Sequence, residues 1–359
     1  MIKDAIEKLT RKINLSVEET KEVFNDIFDH KTTSAQTASF LTALKVKGET
    51  VEEIYGAATI ARERAMRLSV KETFMGIDAR DEQVLDTCGT GGSGVNKFNV
   101  STAVSFVVAA HGIKVAKHGN RAMSSTCGSA DVLEELGIKI DVSPKIMEEA
   151  IKKIGIGFLY APLYHPALLE VAAIRKEIGI RTIFNILGPL CNPAGATHQL
   201  LGVYKKELVE TMAVVLKKLG IKKALVVCGK DLKDEVSLTG ETTAILVDKK
   251  KMKNLCIEPA DFGLKKITAK CLEAKDARQS AKIILDVLDG KYGPAQDEVL
   301  ANASCCFYIL NKVSNLKDGV KLAKDIIDTG RAKDKFLKFK QFIDRQKKEA
   351  SVLKKFSNS

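Results

Sequence analysis

The spacing of apolar residues changes its period near residue 73. Before that point apolar side chains recur every three or four positions, which is the period of a helix with one buried face. Glu19 follows Ser16 by three residues and Glu53 follows Thr50 by three, a spacing typical of capping boxes at helix starts. No alternating β pattern interrupts this segment, so residues 1–72 are predicted to be helical, with helices that begin at Ser16, Thr33 and Thr50.

From Phe74 onward, short runs of branched and aromatic residues alternate with helical stretches, a pattern that predicts an α/β fold with a mostly parallel central sheet flanked by helices. A proline-bounded helical stretch at 166–192 interrupts this alternation. Beyond residue 228 the chain is predicted to be largely helical, and the lysine-rich tail after Arg331 to form a frayed final helix. The strand-like runs are 84–85, 113–116, 138–142, 158–161, 199–203 and 224–227.

Composition narrows the class of protein. The 359 residues suffice for about two domains. The 57 Lys and Arg against 45 Asp and Glu give a net charge of +12. Because much of the excess lies in lysine runs such as 249–251, we interpret it as a solvated surface; attraction of anionic substrates and nucleic-acid binding stay open as alternatives.

The cysteines and histidines give no sign of a disulfide framework or a zinc site. The eight cysteines are scattered without C-x-x-C spacing, and the five histidines form no i,i+4 pair. The sequence also contains no signal peptide and no apolar run of transmembrane length. We therefore expect reduced thiols in a cytoplasmic protein that does not enter a membrane.

The stretch from Cys88 to Ser125 is the richest in candidate chemistry. A glycine-dense turn, residues 89–94, follows the first strand-like run and leads into a helix with hydroxyls in its first turn. The next run ends in Lys117-His118-Gly119-Asn120-Arg121. Glycines let the backbone approach a ligand, and a helix N-terminus supplies N–H donors and positive potential. Two consecutive turns of this kind predict a site for a polyanion.

Other interpretations of the glycine turn fit less well. A P-loop requires lysine directly after its last glycine, where this chain has Val95. Gly89, Gly91 and Gly94 satisfy G-x-G-x-x-G, but the acidic residue expected about 20 positions later is missing and Lys117 stands near that position. A simple tight turn would not need a basic, hydroxyl-rich second turn. A phosphate-ester site fits best.

Four separated motifs, GTGGSG…FNVST, KHGNRAMSS, RTIFNILGPLCNPAG and DEVSLTG, together resemble the anthranilate phosphoribosyltransferase family. The resemblance extends from about Leu15 to about Lys335. It implies a small helical domain (1–72 plus 166–192) and a large α/β domain (73–165 plus 193–359), with a homodimer formed through the small domain. It also implies transfer of the 5-phosphoribosyl group from phosphoribosyl pyrophosphate to the amine of anthranilate, with Mg²⁺, in tryptophan biosynthesis.

The reaction itself calls for positioning and charge neutralisation rather than an acid–base pair. Positive charge builds on the ribose C1 as pyrophosphate departs, and the aromatic amine is already neutral at pH 7. The resemblance therefore implies no catalytic acid or base. It assigns to the donor Gly89, Gly92, Ser93, Lys97, Asn99, Val100, Ser101, Thr102, Lys117, His118, Gly119, Asn120, Arg121, Ala122, Met123, Ser124, Ser125 and Ser129; to anthranilate Gly89, Asn120, Arg175, His118 and His165; and to magnesium Ser101, Asp234 and Glu235.

Two positions depart from the family's pattern. Many members have an acid where this chain has Ser93, and threonine is usual where it has Lys97. Together these departures remove a negative charge and add a positive one. We hypothesise that Lys97 supplies part of the neutralisation that a second magnesium ion would provide, so the number of ions stays open.

Two other functions stay open at this point. A pyrimidine nucleoside phosphorylase has a similar architecture and a glycine-rich phosphate turn, but needs no pair like Asp234-Glu235. A nucleic-acid-binding relative without transferase activity would suit the net charge, but has no need to keep Asn120, Arg175 and the acidic pair together. Phosphorolysis of thymidine or uridine would indicate the first, and steeply salt-dependent DNA binding the second.

Overall fold

The computed structural model of the chain describes residues 1–70, 73–74, 77–78, 82–122, 127–249 and 251–357. Short parallel strands at its centre carry the turns identified above. The strands are β1 (Thr73–Phe74), β2 (Ile77–Asp78), β3 (Val84–Asp86), β4 (Lys114–Gly119), β5 (Ile156–Tyr160), β6 (His198–Gly202), β7 (Lys223–Gly229), β8 (Thr242–Asp248) and β9 (Lys251–Ile257).

The central sheet has seven strands in the order β5-β4-β3-β6-β7-β8-β9. The first five are parallel, with Leu85 beside Val115 on one side and beside His198 on the other. β8 and β9 continue the sheet antiparallel. The predicted fold class, a mostly parallel α/β sheet with a helical N-terminal part, is confirmed.

Helices cover both faces of the sheet and form the N-terminal segment. They are α1 (Ile2–Thr10), α2 (Val17–Phe28), α3 (Ser34–Lys47), α4 (Val51–Glu63), α5 (Val100–Ala110), α6 (Ser129–Glu135), α7 (Pro144–Ile154), α8 (Ala161–Tyr164), α9 (Pro166–Glu170), α10 (Ala172–Ile178), α11 (Phe184–Leu187), α12 (Leu208–Lys218), α13 (Ala277–Leu288), α14 (Pro294–Ile309), α15 (Leu316–Asp328) and α16 (Arg331–Ser357). Short 3-10 turns occur at Gly188–Leu190, Pro259–Phe262 and Ala269–Leu272.

The three predicted helix starts in the N-terminal segment are confirmed. Capping boxes open α2, α3 and α4 at Ser16, Thr33 and Thr50. The box carboxylate of Glu53 is fully buried and also accepts from the Leu15 N–H (3.0 Å) and the Lys47 ammonium (2.9 Å). One side chain thus joins three parts of the helical segment, which stabilises it as a unit.

Two hydrophobic cores lie on the two faces of the sheet. One joins α5, α7 and α13–α16 to β3, β4 and β5. The other joins α1–α4 to α11, α12 and the opposite face of β6 and β7. The N-terminal helices therefore share apolar packing with the sheet as well as with one another.

Three sequence predictions were wrong. The sheet does not end at residue 227, because β8 and β9 follow. β9 carries Lys251 and Lys253, charged residues typical of an exposed edge strand, so it does not stand out in the sequence as a run of apolar residues. Residues 138–142 form no strand. The tail is not frayed where it begins, because Phe336 and Phe339 are buried and Phe336 packs edge-to-face on Phe106 with ring centroids 5.4 Å apart.

Within the residues that the structure describes, no helix has both the length and the apolar character needed to cross a bilayer.

Candidate functional site

A cleft of about 310 Å³ opens at the carboxyl ends of β3, β4 and β7. Ligands of open α/β sheets bind at this edge because the loops after parallel strands converge there. The glycine turn, the Lys117–Arg121 segment and the Asp234-Glu235 pair all line this cleft, together with α9–α11 residues that include Arg175. The structure therefore brings together three motifs that lie far apart in the sequence.

The glycine turn needs its glycines for two different reasons. Gly91, Gly92 and Gly94 have φ values of 62°, 70° and 72°, in the left-handed region that side chains disfavour. Gly89 instead lets the backbone of the turn approach the end of β6, because a Cβ at residue 89 would lie 2.9 Å from the Gly202 carbonyl oxygen. The Thr90 N–H also donates to that carbonyl oxygen (2.8 Å), so the turn is held against the end of β6.

Lys117 carries a buried ammonium at the end of β4. Its Nζ donates to Ser101 Oγ (3.0 Å) in the first turn of α5 and lies 3.4 Å from Thr87 Oγ1. The side chain is only 4% exposed, yet the residue lines the cleft. These hydrogen bonds go to hydroxyls rather than to a carboxylate, which leaves the ammonium able to bind an anionic ligand.

Asp86, to which the sequence analysis gave no role, organises the turn from below. Its buried carboxylate accepts from the Cys88 N–H (3.0 Å), the His118 N–H (3.1 Å) and Asn192 Nδ2 (2.8 Å). Burial raises its pKa to about 6, although these hydrogen bonds and the nearby Lys117 oppose the shift. The acid thus joins the ends of β3 and β4 to the loop around Asn192.

The acidic loop after β7 is tied to the glycine turn by an ion pair. Lys97 Nζ pairs with the Asp234 carboxylate and donates to the Leu232 carbonyl oxygen (3.0 Å). Burial lowers the pKa of Lys97, but the attraction of Asp234 and Glu235 outweighs burial, so the net shift is upward. Lys97, which departs from the family's pattern, is therefore paired with Asp234, a carboxylate that the resemblance assigns to magnesium.

Glu235 lies beside this pair and close to α5. Burial raises its pKa to about 7, against the effect of Lys97 and of a hydrogen bond from the Ser101 backbone N–H. Two carboxylates and the Ser101 hydroxyl are hard oxygen donors, the ligand type that Mg²⁺ prefers when waters and substrate phosphates complete its shell. Among the described residues no group of three or more His, Cys, Asp and Glu is placed to hold a metal ion.

Two neutral histidines form the opposite end of the cleft. The rings of His118 and His165 have centroids 5.1 Å apart, and burial lowers their pKa values to about 3 and about 4. His118 Nδ1 lies 2.9 Å from the Gly188 carbonyl oxygen, to which it donates. Nε2 of each ring is buried without a hydrogen-bond partner in the described part of the chain.

Arg175 completes this end. Its guanidinium lies 5.4 Å from the ring centroid of Phe184, and burial lowers its pKa. Within the described ranges it forms no ion pair. An arginine stacked on an aromatic ring and lacking a carboxylate partner is prepared for a planar ligand that carries one.

Most of the predicted site residues line the cleft, with some exceptions. Val100 and Thr102 are buried beneath it. Arg121 lines it but also forms a forked pair with Glu134 (2.6 and 2.8 Å). Met123, Ser124 and Ser125 lie outside the described residues. The residues that lie on the cleft wall are Gly89, Gly92, Ser93, Lys97, Asn99, Ser101, Lys117, His118, Gly119, Asn120, Arg121, Ala122, Ser129, His165, Arg175, Asp234 and Glu235.

Sequence reasoning missed the apolar part of the wall. Leu168, Leu169, Phe184 and Pro189 line the cleft near Arg175. Leu169 is half exposed there, although it lies in the stretch at 166–192 that was predicted to be helical. The spacing could not indicate which face of the short helices α9 and α10 would remain uncovered.

Comparisons with known proteins agree with this geometry. A family model described as "Glycosyl transferase family, a/b domain" matches residues 81–333, and one described as "Glycosyl transferase family, helical bundle domain" matches residues 3–65. Anthranilate phosphoribosyltransferases of Geobacter sp. (strain M21) and Geobacter sulfurreducens are 49% and 51% identical over 337 residues, with 92% of this chain and 96% of each relative covered.

Solved structures give the same result. The anthranilate phosphoribosyltransferase of Thermus thermophilus superimposes with a TM-score of 0.86 at 37% identity, covering 95% of this chain and 99% of that one. The enzyme of Saccharomyces cerevisiae in complex with PRPP and Mg has a TM-score of 0.84 at 28% identity, covering 96% and 98%. The yeast enzyme has also been solved with 4-fluoroanthranilate.

Proposed function

The chain belongs to the anthranilate phosphoribosyltransferase family, and from that membership we propose how its residues divide the reaction among them. The protein is a glycosyltransferase that moves the 5-phosphoribosyl group of phosphoribosyl pyrophosphate to the amine of anthranilate, a step of tryptophan biosynthesis. The convergence of the glycine turn, Lys117, the acidic pair and Arg175 on one cleft is the observation that carries the proposed division.

The donor occupies the end of the cleft beneath the glycine turn. Backbone N–H groups of the turn and the Lys117 ammonium face its phosphates, since both are fixed before any ligand arrives. Preorganised donors need no reorganisation as charge moves to the departing pyrophosphate. The segment from Asn99 to Thr102, that from Lys117 to Ser125, and Ser129 supply the remaining donor contacts that the family resemblance assigns.

Asp234, Glu235 and the Ser101 hydroxyl would hold Mg²⁺, which when bound neutralises phosphate charge and orients the donor. The burial that raises the pKa of Glu235 favours this role, because a carboxylate withdrawn from water gains most from a bound cation. The complex of the yeast relative with PRPP and Mg supports the metal for this chain.

Anthranilate occupies the opposite end. Its carboxylate pairs with the Arg175 guanidinium, and its ring lies among Leu168, Phe184 and Pro189. Because His118 is neutral and donates through Nδ1, its Nε2 offers a lone pair to the anthranilate amine. Asn120 and His165 lie within the same wall. The nitrogen attacks the ribose C1 as the bond from C1 to the pyrophosphate oxygen breaks, and the proton that the nitrogen then loses passes to the released pyrophosphate or to water.

We also propose a division into a small helical domain, 1–72 plus 166–192, and a large domain comprising the rest. In support, α1–α4 share an apolar core with Val171 and α11. Closure of the small domain over the cleft would exclude water from a charged transition state.

The same proposal includes a homodimer formed through the small domain and a cytoplasmic location. Reduced buried thiols such as Cys191 and Cys305 fit that location.

The direct test is the fluorescence of anthranilate with purified protein, phosphoribosyl pyrophosphate and Mg²⁺. We expect the signal to fall only when all three are present, and omission of each in turn is the control. Loss without the donor, or a constant signal in the complete mixture, would contradict the activity. Thymidine phosphorolysis and DNA binding at several salt concentrations, measured on the same preparation, test the two alternative functions.

A further inference from the structure

Helix α14 lies directly behind the loop that presents Asp234 and Glu235. The side chain of Asn302 forms a paired contact with the backbone of that loop. Its Oδ1 accepts from the Val236 N–H (3.1 Å), and its Nδ2 donates to the Val236 carbonyl oxygen (3.1 Å). Asn302 is fully buried, so water cannot replace these bonds. The amide therefore pairs with the loop as a neighbouring β-strand would.

Glu298, one helical turn earlier, extends this pairing by two residues. Its Oε2 accepts from the Leu238 N–H (3.1 Å), while its Oε1 accepts from Asn302 Nδ2 (3.2 Å). It is fully buried and forms no ion pair in the described part of the chain. The backbone groups of Val236 and Leu238 thus both form hydrogen bonds with side chains on one face of α14.

These contacts meet a demand that the loop creates. After β7 the chain leaves the sheet. The Leu238 carbonyl oxygen accepts from the Ile267 N–H (3.0 Å), but the N–H and C=O of Val236 and the N–H of Leu238 have no strand beside them. Buried N–H and C=O groups left without partners are costly. An apolar α14 would pack well but could not satisfy them, which gives buried Glu298 and Asn302 a physical reason to be there.

The geometry connects this pairing to the cleft. The side chains of Val236 and Leu238 are fully buried, while Asp234 and Glu235, just before them, line the cleft. At the end of β6, Gly202 lets the loop pack closely, because a Cβ there would lie 1.8 Å from the Asp234 carbonyl oxygen. The acidic loop is held between β6 and α14.

We propose that Glu298 and Asn302 are positioning residues for phosphoribosyl transfer: by holding the backbone of Val236 and Leu238, they fix where the Asp234 and Glu235 carboxylates meet the metal-bound donor. The proposal rests on the proposed metal role of that acidic pair. Groups that orient metal ligands from behind change metal affinity or activity by about 10- to 100-fold when they are removed.

The test measures Mn²⁺ binding by electron paramagnetic resonance, with and without phosphoribosyl pyrophosphate, together with the KM of each substrate. Asn302→Leu and Glu298→Met remove the loop contacts. We expect both to weaken Mn²⁺ binding about tenfold or more and to raise the donor KM, with the KM of anthranilate nearly unchanged. Glu298→Gln keeps an acceptor for the Leu238 N–H and is expected to remain within about threefold of the wild type.

Ser304→Ala provides the matched control in the same helix. Ser304 Oγ donates to the Leu316 carbonyl oxygen (2.7 Å), away from the acidic loop, so its loss disturbs α14 packing alone. Thermal midpoints of all variants separate stability from positioning. Asn302→Asp, which keeps the acceptor and loses the donor to Val236, serves if Asn302→Leu does not fold, and it is expected to weaken Mn²⁺ binding as well.

Asp234→Ala separates the metal role of the acidic pair from the positioning role of Glu298 and Asn302. If it weakens Mn²⁺ binding while Asn302→Leu, Asn302→Asp and Glu298→Met leave both Mn²⁺ binding and the donor KM at wild-type values, positioning by α14 is overturned. An equal effect of Ser304→Ala would overturn it too. If Asp234→Ala itself leaves Mn²⁺ binding unchanged, the metal role of the acidic pair is what fails.

Discussion

The polar groups at the two ends of the cleft differ in whether they already have partners. At the glycine-turn end, Lys97 pairs with Asp234, and Lys117 donates to Ser101. At the histidine end, within the described residues, Nε2 of His118 and of His165 have no partner. One end is organised before any ligand binds, whereas the other leaves hydrogen-bonding capacity for the ligand to satisfy.

This difference matches the chemistry expected at each end. A donor with several phosphate charges is best met by groups fixed in place, because no energy is then spent on reorientation during the reaction. A planar acid that carries an amine is selected differently. Each buried polar atom that it fails to satisfy costs about 1–3 kcal/mol, so a site with unpaired atoms rejects ligands that lack matching groups.

The largest expected effect comes from the organised end. Asp234→Ala removes a carboxylate proposed to hold the metal and should lower kcat by about 10²- to 10³-fold, the range typical of a single lost electrostatic contact of this kind. Anthranilate binding, measured by fluorescence titration, should remain near the wild-type value. If Asp234→Ala weakened anthranilate binding as strongly as it lowers kcat, the two ends of the cleft would not be independent.

At the other end, Arg175→Ala should raise the KM of anthranilate by roughly 10- to 100-fold, because a charge-assisted hydrogen bond contributes about 1.5–3 kcal/mol. The donor KM should change little. Arg175→Lys keeps the charge but loses the forked geometry and the stacking on Phe184, so only partial recovery is expected. Steady-state kinetics with each substrate varied separately measure this division, and full recovery by lysine would contradict the paired geometry.

A smaller effect is expected at Lys97, which connects the glycine turn to the acidic loop. Lys97→Thr removes the ion pair with Asp234 and a cation near the donor phosphates. The donor KM should rise several-fold, on the order of the 1–2 kcal/mol typical of such contacts, and more than the KM of anthranilate. Lys97→Met separates the loss of charge from the gain of a hydroxyl. Equal changes in the two KM values would refute a donor-specific role.

The last prediction concerns protein stability rather than the reaction, namely how stability depends on pH at the histidine end. Burial lowers the pKa of His165 to about 4, so below the ordinary value near 6.5 the unfolded chain binds a proton that the folded chain does not. Stability from this group is complete above pH 6.5 and decreases as pH falls toward 4, by about 1.4 kcal/mol per pH unit. The stability difference between wild type and His165→Asn, measured by urea unfolding at several pH values, should therefore shrink on acidification. A difference that does not vary with pH would contradict a neutral buried histidine.

Local signals account for the parts of the fold that were predicted. The capping boxes at Ser16 and Thr50 and the left-handed glycines of the turn are decided by contacts within a few residues, so the sequence shows them directly. The errors arose where distant packing decides. β9 has polar residues at three of its seven positions and is a strand because β8 lies beside it, and α16 is ordered at its start because Phe336 packs against Phe106.

The candidate site divides in the same way. The sequence by itself determined which groups are available: the glycine turn, Lys117, Arg175 and the Asp234-Glu235 pair, each in a motif short enough to recognise. Only the tertiary structure decided that Lys97 pairs with Asp234, that Asp86 lies beneath the turn, and that Asn302 holds the acidic loop from behind. These contacts join residues 32 to 137 positions apart. Chain folding brings such partners together through burial and hydrogen bonding, and no local pattern in the sequence records which distant backbone group a buried side chain will satisfy.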